Sequence, residues 1–188
     1  MSPEWVTAIA TIFTALVIAA SALAALFQIR HMRKSNEIEI IDKWTEAIES
    51  EQFQQARMFV LRELPRILSD PAALHELVWD PIPPEIAQMR TVCNHFEAVG
   101  TFIKLGSVEA NVACELWALV VLECWRGIAP VAAFIRKRYG TDAVWENFEY
   151  LAVLSEEYIA THLAQSYPAN VRRMPVDSSL IEVLEPQT

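Results

Sequence analysis

The chain has 188 residues, a formal net charge of −9 and four glycines. Its length suits a single domain, and four glycines leave no room for a glycine-rich phosphate loop or a dinucleotide fingerprint. Residues 35–188 carry 12 basic against 23 acidic side chains, a net charge of −11. Such an acidic domain repels phosphate backbones, so no nucleic acid is expected as a partner.

The first predicted element is a long apolar helix. Residues 5–29 contain no charged residue, histidine, glycine or proline, and a helix of 25 residues is long enough to cross a hydrocarbon core of roughly 30 Å. Trp5 stands where an interfacial aromatic side chain belongs. We therefore predict a transmembrane anchor in contact with membrane lipid. The alternatives are a signal peptide cleaved after residues 20–22 (Ala-Ser-Ala), disfavoured by the acidic start and long core, and a buried core helix, disfavoured by the missing polar face.

Three basic residues, Arg30, Arg33 and Lys34, follow the apolar run directly. Basic residues are retained on the cytoplasmic side of a membrane, and none precedes the run. The pattern predicts a single-pass membrane protein with its N-terminus outside. Residues 1–34 form the anchor, 35–167 a cytoplasmic helical domain and 168–188 a proline-containing tail. Specific binding of an anionic lipid is the alternative role of these basic residues, but it normally needs a larger cluster.

Small residues recur every four positions along the anchor, at Thr7, Thr11, Ala15 and Ala19. This spacing places them on one ridge of the helix. Small residues allow close backbone approach between membrane helices. We predict that the ridge packs against a membrane helix of another protein or of a second copy; the alternative is that small residues are merely tolerated in a lone span.

The anchor helix is expected to continue beyond the membrane, because no helix breaker precedes Leu64. Ser50 is predicted to be a joint and Pro65 to end the segment. Apolar residues at helical spacing predict two buried stripes. The first stripe is Ile41, Trp44 and Ile48, and the second is Phe53, Ala56, Val60 and Leu64.

Two short segments precede the next long helix. Residues 70–79 are predicted to form a helix capped by Asp70, and residues 80–87 a proline-rich turn. Residues 85–104 then form a helix that ends at Gly106. Its predicted buried seam is Ile86, Met89, Cys93, Phe96, Gly100 and Ile103. Its polar face carries a candidate polar site, Arg90, Asn94 and Glu97, for which a charged face or a structural pair is the alternative.

An apolar helix capped by Ser107 is predicted to follow. Glu115, Glu123 and Arg126 lie on one of its faces, the last two as an i,i+3 pair. Because charged residues are costly inside a bilayer, we interpret this element as the central core helix instead of a second span.

Gly127 and Pro130 are predicted to break that helix, and a shorter one then runs from near Ala129 to Gly140. Thr141 or Asp142 is expected to cap the last helix. Its apolar positions are Trp145, Phe148, Ala152, Ile159 and Leu163.

No stretch alternates apolar and polar residues as a half-buried strand does. The predicted fold is therefore all-α: one N-terminal transmembrane helix followed by a cytoplasmic bundle of about five helices. Cys93, Cys114 and Cys124 are expected to be reduced core residues.

Residue patterns typical of catalysis are missing. No histidine follows a glutamate by three positions, as a di-iron bundle requires, and no Gly-x-Ser-x-Gly elbow is present. We therefore expect no catalytic residues, no metal and no cofactor.

The segments "CNHFEAVGTFIKLGSVEANV", "LWALVVLECWRGIAPVAAFIRKRYG" and "WENFEYLA" resemble a bacterial single-pass membrane protein family known only as a domain of unknown function. The resemblance covers roughly residues 5–155. It implies an N-terminal helix in the bacterial cytoplasmic (inner) membrane followed by a cytoplasmic helical domain, and it implies no activity. The positions that match the pattern are Asn94, Phe96, Glu97, Gly106, Trp125, Pro130, Arg136 and Phe148.

These observations lead to two functional hypotheses. The first is a non-enzymatic, membrane-anchored interaction protein, an accessory or scaffold subunit at the cytoplasmic face. The alternative is a membrane-tethered sensor or regulator that binds a small ligand or a signalling partner. A sensor needs a pocket with convergent polar groups, whereas a scaffold needs an exposed apolar patch.

Overall fold

A computed structural model describes residues 3–70, 84–162 and 167–175. All regular structure in these ranges is helical, with no strand, which confirms the all-α prediction. The ranges contain five helices when residues 51–68 are counted as one interrupted helix. Outside the described residues lie 71–79 of the helix predicted at 70–79, residues 80–83 of the predicted turn, Leu163 and residues 176–188 of the tail.

Helix α1 spans Pro3–Glu49 without a break, so it runs through the predicted boundary between residues 34 and 35. At 1.5 Å per residue it is roughly 70 Å long. It ends at Ser50, whose extended backbone stops the helix and whose hydroxyl accepts a hydrogen bond from the Phe53 N–H (3.2 Å). The predicted continuation and the predicted joint are both confirmed.

The second segment comprises α2 (Glu51–Met58), a π-helical turn (Phe59–Glu63) and α3 (Leu64–Leu68). Pro65 was expected to end the segment, but it lies in the first turn of α3 and the helix continues to Leu68. Proline lacks an N–H and clashes with the carbonyl four residues earlier in a regular helix. A wider π turn directly before Pro65, closed by Leu64 N–H to the Phe59 carbonyl, avoids that conflict. The predicted stripe Phe53, Ala56, Val60 and Leu64 is buried.

Helix α4 spans Pro84–Lys104. Among its seam residues, Met89, Cys93, Phe96 and Ile103 are each at most 6% exposed, as predicted. A Cβ added at Gly100 would lie 2.0 Å from the Asn147 carbonyl oxygen, so the expected close approach of another helix is confirmed.

The turn after α4 is a Schellman motif. Gly106 has φ +70, and its N–H donates to the Ile103 carbonyl (2.9 Å) while the Ser107 N–H donates to the Phe102 carbonyl (3.0 Å). The turn brings the chain back toward α1.

Helix α5 spans Ala110–Tyr139 and corrects two predictions. Glu109, not Ser107, stands at its N-cap, and the helix runs unbroken through Gly127 and Pro130. Pro130 is exposed and removes one backbone hydrogen bond without ending the helix. Gly127 serves packing instead: a Cβ there would lie 3.1 Å from a Val60 methyl group. The predicted end at Gly140 is confirmed by its left-handed backbone, φ 62.

Helix α6 spans Glu146–His162 and begins later than predicted. The Thr141 hydroxyl accepts a hydrogen bond from the Ala143 N–H (3.2 Å), which closes a turn and does not cap α6. Phe148, Leu151 and Ala152 face the core that α4, α5 and α6 share.

Aromatic packing joins α1 to this core. The Trp44 ring meets the rings of Phe102 (5.9 Å) and Trp117 (6.0 Å) edge to face. Trp44 and Ile48 are at most 9% exposed. The C-terminal, lower part of α1, which contains Trp44 and Ile48, is therefore a component of the bundle.

Candidate functional site

Residues 5–29 form the N-terminal, upper part of α1, which we call the apolar rod. No other described part of the protein covers it. Trp5 and Phe27, near its two ends, are 67% and 69% exposed. By length and composition α1 is a candidate membrane span, with no part of its most apolar 18-residue window buried. Helix α5 passes the same test, but 39% of its window is buried inside the protein. Exposed apolar surface of this extent is unfavourable in water, so α1 needs an apolar environment that the bundle does not supply.

The small-residue ridge of α1 (Thr7, Thr11, Ala15, Ala19) is exposed along its length. Its two hydroxyls donate within the helix, Thr7 to the Pro3 carbonyl (3.1 Å) and Thr11 to the Thr7 carbonyl (2.9 Å). Each hydroxyl oxygen keeps free lone pairs. The ridge therefore offers a partner helix close approach and two acceptors, but its hydroxyl donors are already used.

The three residues of the candidate polar site have different surroundings. Arg90 and Asn94 are exposed on α4, whereas Glu97 is half-buried. The Glu97 carboxylate accepts hydrogen bonds from the backbone N–H groups of Asn147 (3.1 Å) and Phe148 (2.9 Å) and from the Asn147 side-chain amide (2.7 Å). These N–H groups belong to the first turn of α6, so Glu97 caps that helix from a neighbouring one.

A cleft lies where the lower end of the apolar rod meets the α4–α5 turn. We call it the junction cleft; it is lined by Arg30, Arg33, Lys34 and Glu37 of α1 and by Leu105 and Ser107 of the turn. Its volume is about 680 Å³. One wall is fixed by a hydrogen bond from the Glu109 N–H to the Glu37 carboxylate (2.8 Å). That bond spans 72 positions in the chain, and no local sequence signal predicts it.

The cations of the junction cleft lack ion-pair partners. Within the described part of the chain, no carboxylate lies within 4 Å of the charged groups of Arg30, Arg33 or Lys34. Two of the other three lysines have partners: Lys43 pairs with Glu39 (2.8 Å) and Lys104 with Glu146 (3.3 Å), whereas exposed Lys137 has no ion pair within the described ranges. Three cations beside one open volume give the cleft the chemistry of an anion site.

The charged face of α5 differs from the prediction. Glu123 does not pair with Arg126; it pairs with Arg57 of α2 (2.7 Å). Arg57 is 25% exposed, and an ion pair gains more where solvent screening is reduced. Glu115 accepts a hydrogen bond from the Tyr158 hydroxyl. Both carboxylates of this face thus link α5 to other helices.

Buried titratable groups of the bundle are held neutral. Burial lowers the pKa of His95 to about 4 and raises the pKa of Cys124 to about 12. The pKa values of the Cys93 and Cys114 thiols are also raised by burial. Neutral, buried thiols are poor nucleophiles. Residues 3–70, 84–162 and 167–175 hold no group of three or more His, Cys, Asp or Glu side chains arranged to bind a metal ion.

Comparison with known families gives a match over most of the chain. The family model described as a domain of unknown function (DUF4760) matches residues 15–154, about three quarters of the chain, including most of α1 and all of the junction cleft. No curated protein and no solved structure matches the chain.

Proposed function

The chain belongs to the DUF4760 family of unknown function, and from that premise we propose that it is a non-enzymatic, membrane-anchored interaction protein. It presents its helical bundle as an accessory or scaffold subunit at the cytoplasmic face of a bacterial inner membrane. The N-terminus lies outside, and the basic residues after the span lie in the cytoplasm.

The uncovered apolar rod of α1 carries this proposal. Trp5, Phe13 and Phe27 are all at least 66% exposed, and no described part of the bundle shields them. Transfer of such side chains from water into hydrocarbon is favourable by about 1.5–3 kcal/mol for each fully buried large side chain. A lipid bilayer supplies that environment over the whole length of the rod.

The unbroken course of α1 supports a role in presentation. The helix that crosses the membrane also inserts Trp44 and Ile48 into the bundle core. The bundle is thereby held close to the membrane in a fixed orientation, which suits a subunit that meets other membrane components. The expected partner is another membrane protein or a second copy of the chain. Leu116 and Leu119, 52% and 58% exposed and one turn apart on α5, give the bundle an apolar surface of its own.

Fractionation of cells that express the full chain tests the anchor. We expect the protein to stay in the membrane after a carbonate wash and its intact mass to include residues 5–29. Release by carbonate, or a mature species that begins after Ala22, would overturn the anchor.

A C-terminal reporter fusion tests the orientation. We expect a reporter that functions in the cytoplasm to be active and one that functions only in the periplasm to be silent. The opposite pattern would reverse the topology.

One observation favours the second candidate function, a membrane-tethered sensor. The junction cleft brings three unpaired cations and the Ser107 hydroxyl to one open volume. Convergent polar groups at a cleft are typical of ligand sites.

A further inference from the structure

The basic residues of the junction cleft lie on the face of α1 that turns toward the bundle. Arg30, Arg33 and Glu37 follow one another at spacings of three and four, and the same spacing leads on to Trp44 and Ile48. Because Trp44 and Ile48 are buried in the core, the cations above them point to the side on which the α4–α5 turn lies. A purely topological signal needs positive charge near the membrane but no particular face.

We propose that the junction cleft binds the phosphate group of an anionic phospholipid, held by Arg30, Arg33 and Lys34 against the α4–α5 turn. This inference rests on the proposed function, because it needs α1 to span the membrane. A guanidinium presents several N–H donors that match the oxygens of a phosphate, and lysine adds a further charge-assisted donor.

The charges along the cleft are ordered. The three cations precede Glu37 along α1, so they lie at the upper end of the cleft, nearer the apolar rod, and Glu37 and Glu109 also line the cleft. Glu37 already accepts the hydrogen bond of the Glu109 N–H. An anion is therefore attracted to the upper end, and the acidic bundle below it opposes deeper entry.

The position of the cleft favours a lipid phosphate over a free one. Arg30 directly follows the last residue of the apolar rod, so its charge stands at the level of the headgroups if α1 spans the membrane. Leu105, 72% exposed, lines the same cleft. An apolar side chain beside a phosphate site suits the glycerol and first acyl carbons of a lipid and gains nothing from inorganic phosphate.

A rearrangement of the basic flank tests this site. Arg33→Ser with Ser35→Arg, together with His31→Lys and Lys34→His, keeps the composition but moves both charges off the cleft face. The full chain is delipidated in a maltoside detergent and titrated with phosphatidylglycerol, phosphatidylcholine or inorganic phosphate, and binding is measured by native mass spectrometry. The matched control exchanges the exposed pair on the same helix, Glu39→Lys with Lys43→Glu.

We expect phosphatidylglycerol to bind the wild type and the control alike, and to bind the rearranged variant on the order of thirtyfold more weakly, which corresponds to about 2 kcal/mol for the two displaced charges. Phosphatidylcholine should bind more weakly than phosphatidylglycerol. Equal affinity of the rearranged variant and the wild type for phosphatidylglycerol would overturn the site. Inorganic phosphate that binds as tightly as the lipid, with the same loss in the variant, would overturn the lipid assignment in favour of a free anion.

Carbonate extraction of the same proteins separates the two proposals. The rearranged variant keeps every positive charge of the flank, so it should remain in the membrane. Wild-type protein that is released by carbonate contradicts the anchor and the lipid site together. Wild-type protein that is retained, with lipid binding unchanged in the variant, contradicts the site alone.

Discussion

Glu37 and Glu97 each extend from one helix to the start of another. Glu37 of α1 accepts the N–H of Glu109 at the start of α5, and Glu97 of α4 accepts two N–H groups of the first turn of α6. Ser107, and Thr141 or Asp142, are the caps predicted from the sequence, because the local sequence shows only neighbouring side chains. The carboxylates that accept these backbone N–H groups lie 72 and 50 positions away in the chain, so no local sequence pattern predicts them.

The Glu97 cap gives a stability prediction. Glu97→Ala leaves the N–H groups of Asn147 and Phe148 without their acceptor, and we expect a loss of about 2 kcal/mol in the free energy of unfolding. Urea unfolding of the detergent-solubilised chain, followed by circular dichroism, measures it. The control Asn94→Ala, exposed on the same helix, should change stability by less than about 0.5 kcal/mol. Equal midpoints for the two variants would show that the cap contributes nothing.

His95 gives a prediction for pH dependence. Its side chain packs against the rings of Phe53 (5.0 Å) and Phe96 (5.3 Å), and burial lowers its pKa from 6.5 to about 4. Because the unfolded chain binds the proton at the higher pKa, the stabilisation from neutral His95 is present above pH 6.5 and is lost as the pH falls toward about 4.

Between pH 7 and pH 4.5 we therefore expect wild-type protein to lose about 2 kcal/mol more stability than His95→Leu. Urea midpoints at the two pH values give this difference. His162→Gln, at an exposed position, should behave as wild type. A His95→Leu variant whose stability falls as steeply as that of wild type would rule out a titrating His95.

At the scale of helices, the spacing of apolar residues predicted which side of a helix packs into the core. The three-and-four spacing of Met89, Cys93 and Phe96 marks a buried seam in any helix, and these residues are buried. The unbroken course of α5 was not predictable in this way. Gly127 has the local appearance of a helix breaker, and only the position of Val60, 67 residues earlier in the chain, explains it as a packing residue.

The packing of the small-residue ridge of α1 against a second membrane helix remains a prediction. Ala15→Leu with Ala19→Leu keeps α1 apolar but prevents close approach of a second membrane helix, so we expect loss of cross-linking and of co-purified partners from native membranes. Ile12→Leu with Ile18→Leu, off the ridge, is the matched control. Because the threonine hydroxyls already donate within α1, close packing should supply most of the contact energy. Unchanged cross-linking in the ridge variant would leave only the bundle as a binding surface.

At the scale of the whole molecule, α1 belongs to both the proposed anchor and the bundle. Truncation of the chain at the predicted domain boundary after residue 34 removes the apolar rod but keeps Trp44 and Ile48. A chain that starts at Ser35 should therefore be soluble and fold cooperatively. A chain that starts at Ser50 loses both core residues, whose removal costs roughly 2–5 kcal/mol each, a large share of typical domain stability.

Thermal unfolding and size-exclusion chromatography of the two truncated chains check this prediction. We expect a cooperative transition for the first chain, and none or a much lower midpoint for the second. A pair Trp44→Ala and Ile48→Ala in the longer chain should reproduce the loss without any truncation. Two truncated chains of equal stability would contradict the assignment of α1 to the core.

The unbroken course of α1 has a mechanical consequence. If α1 spans a membrane as proposed, no hinge separates the bilayer from the bundle. Membrane helices tilt by about 20° on average, and a change in bilayer thickness changes that tilt. The bundle is attached to the C-terminal part of α1, which extends roughly 20 Å from Lys34 to Glu49 at 1.5 Å per residue. Each degree of helix tilt therefore rotates the whole bundle by one degree. In a membrane of different thickness, the bundle would therefore be tilted differently toward its neighbours without any change in its fold.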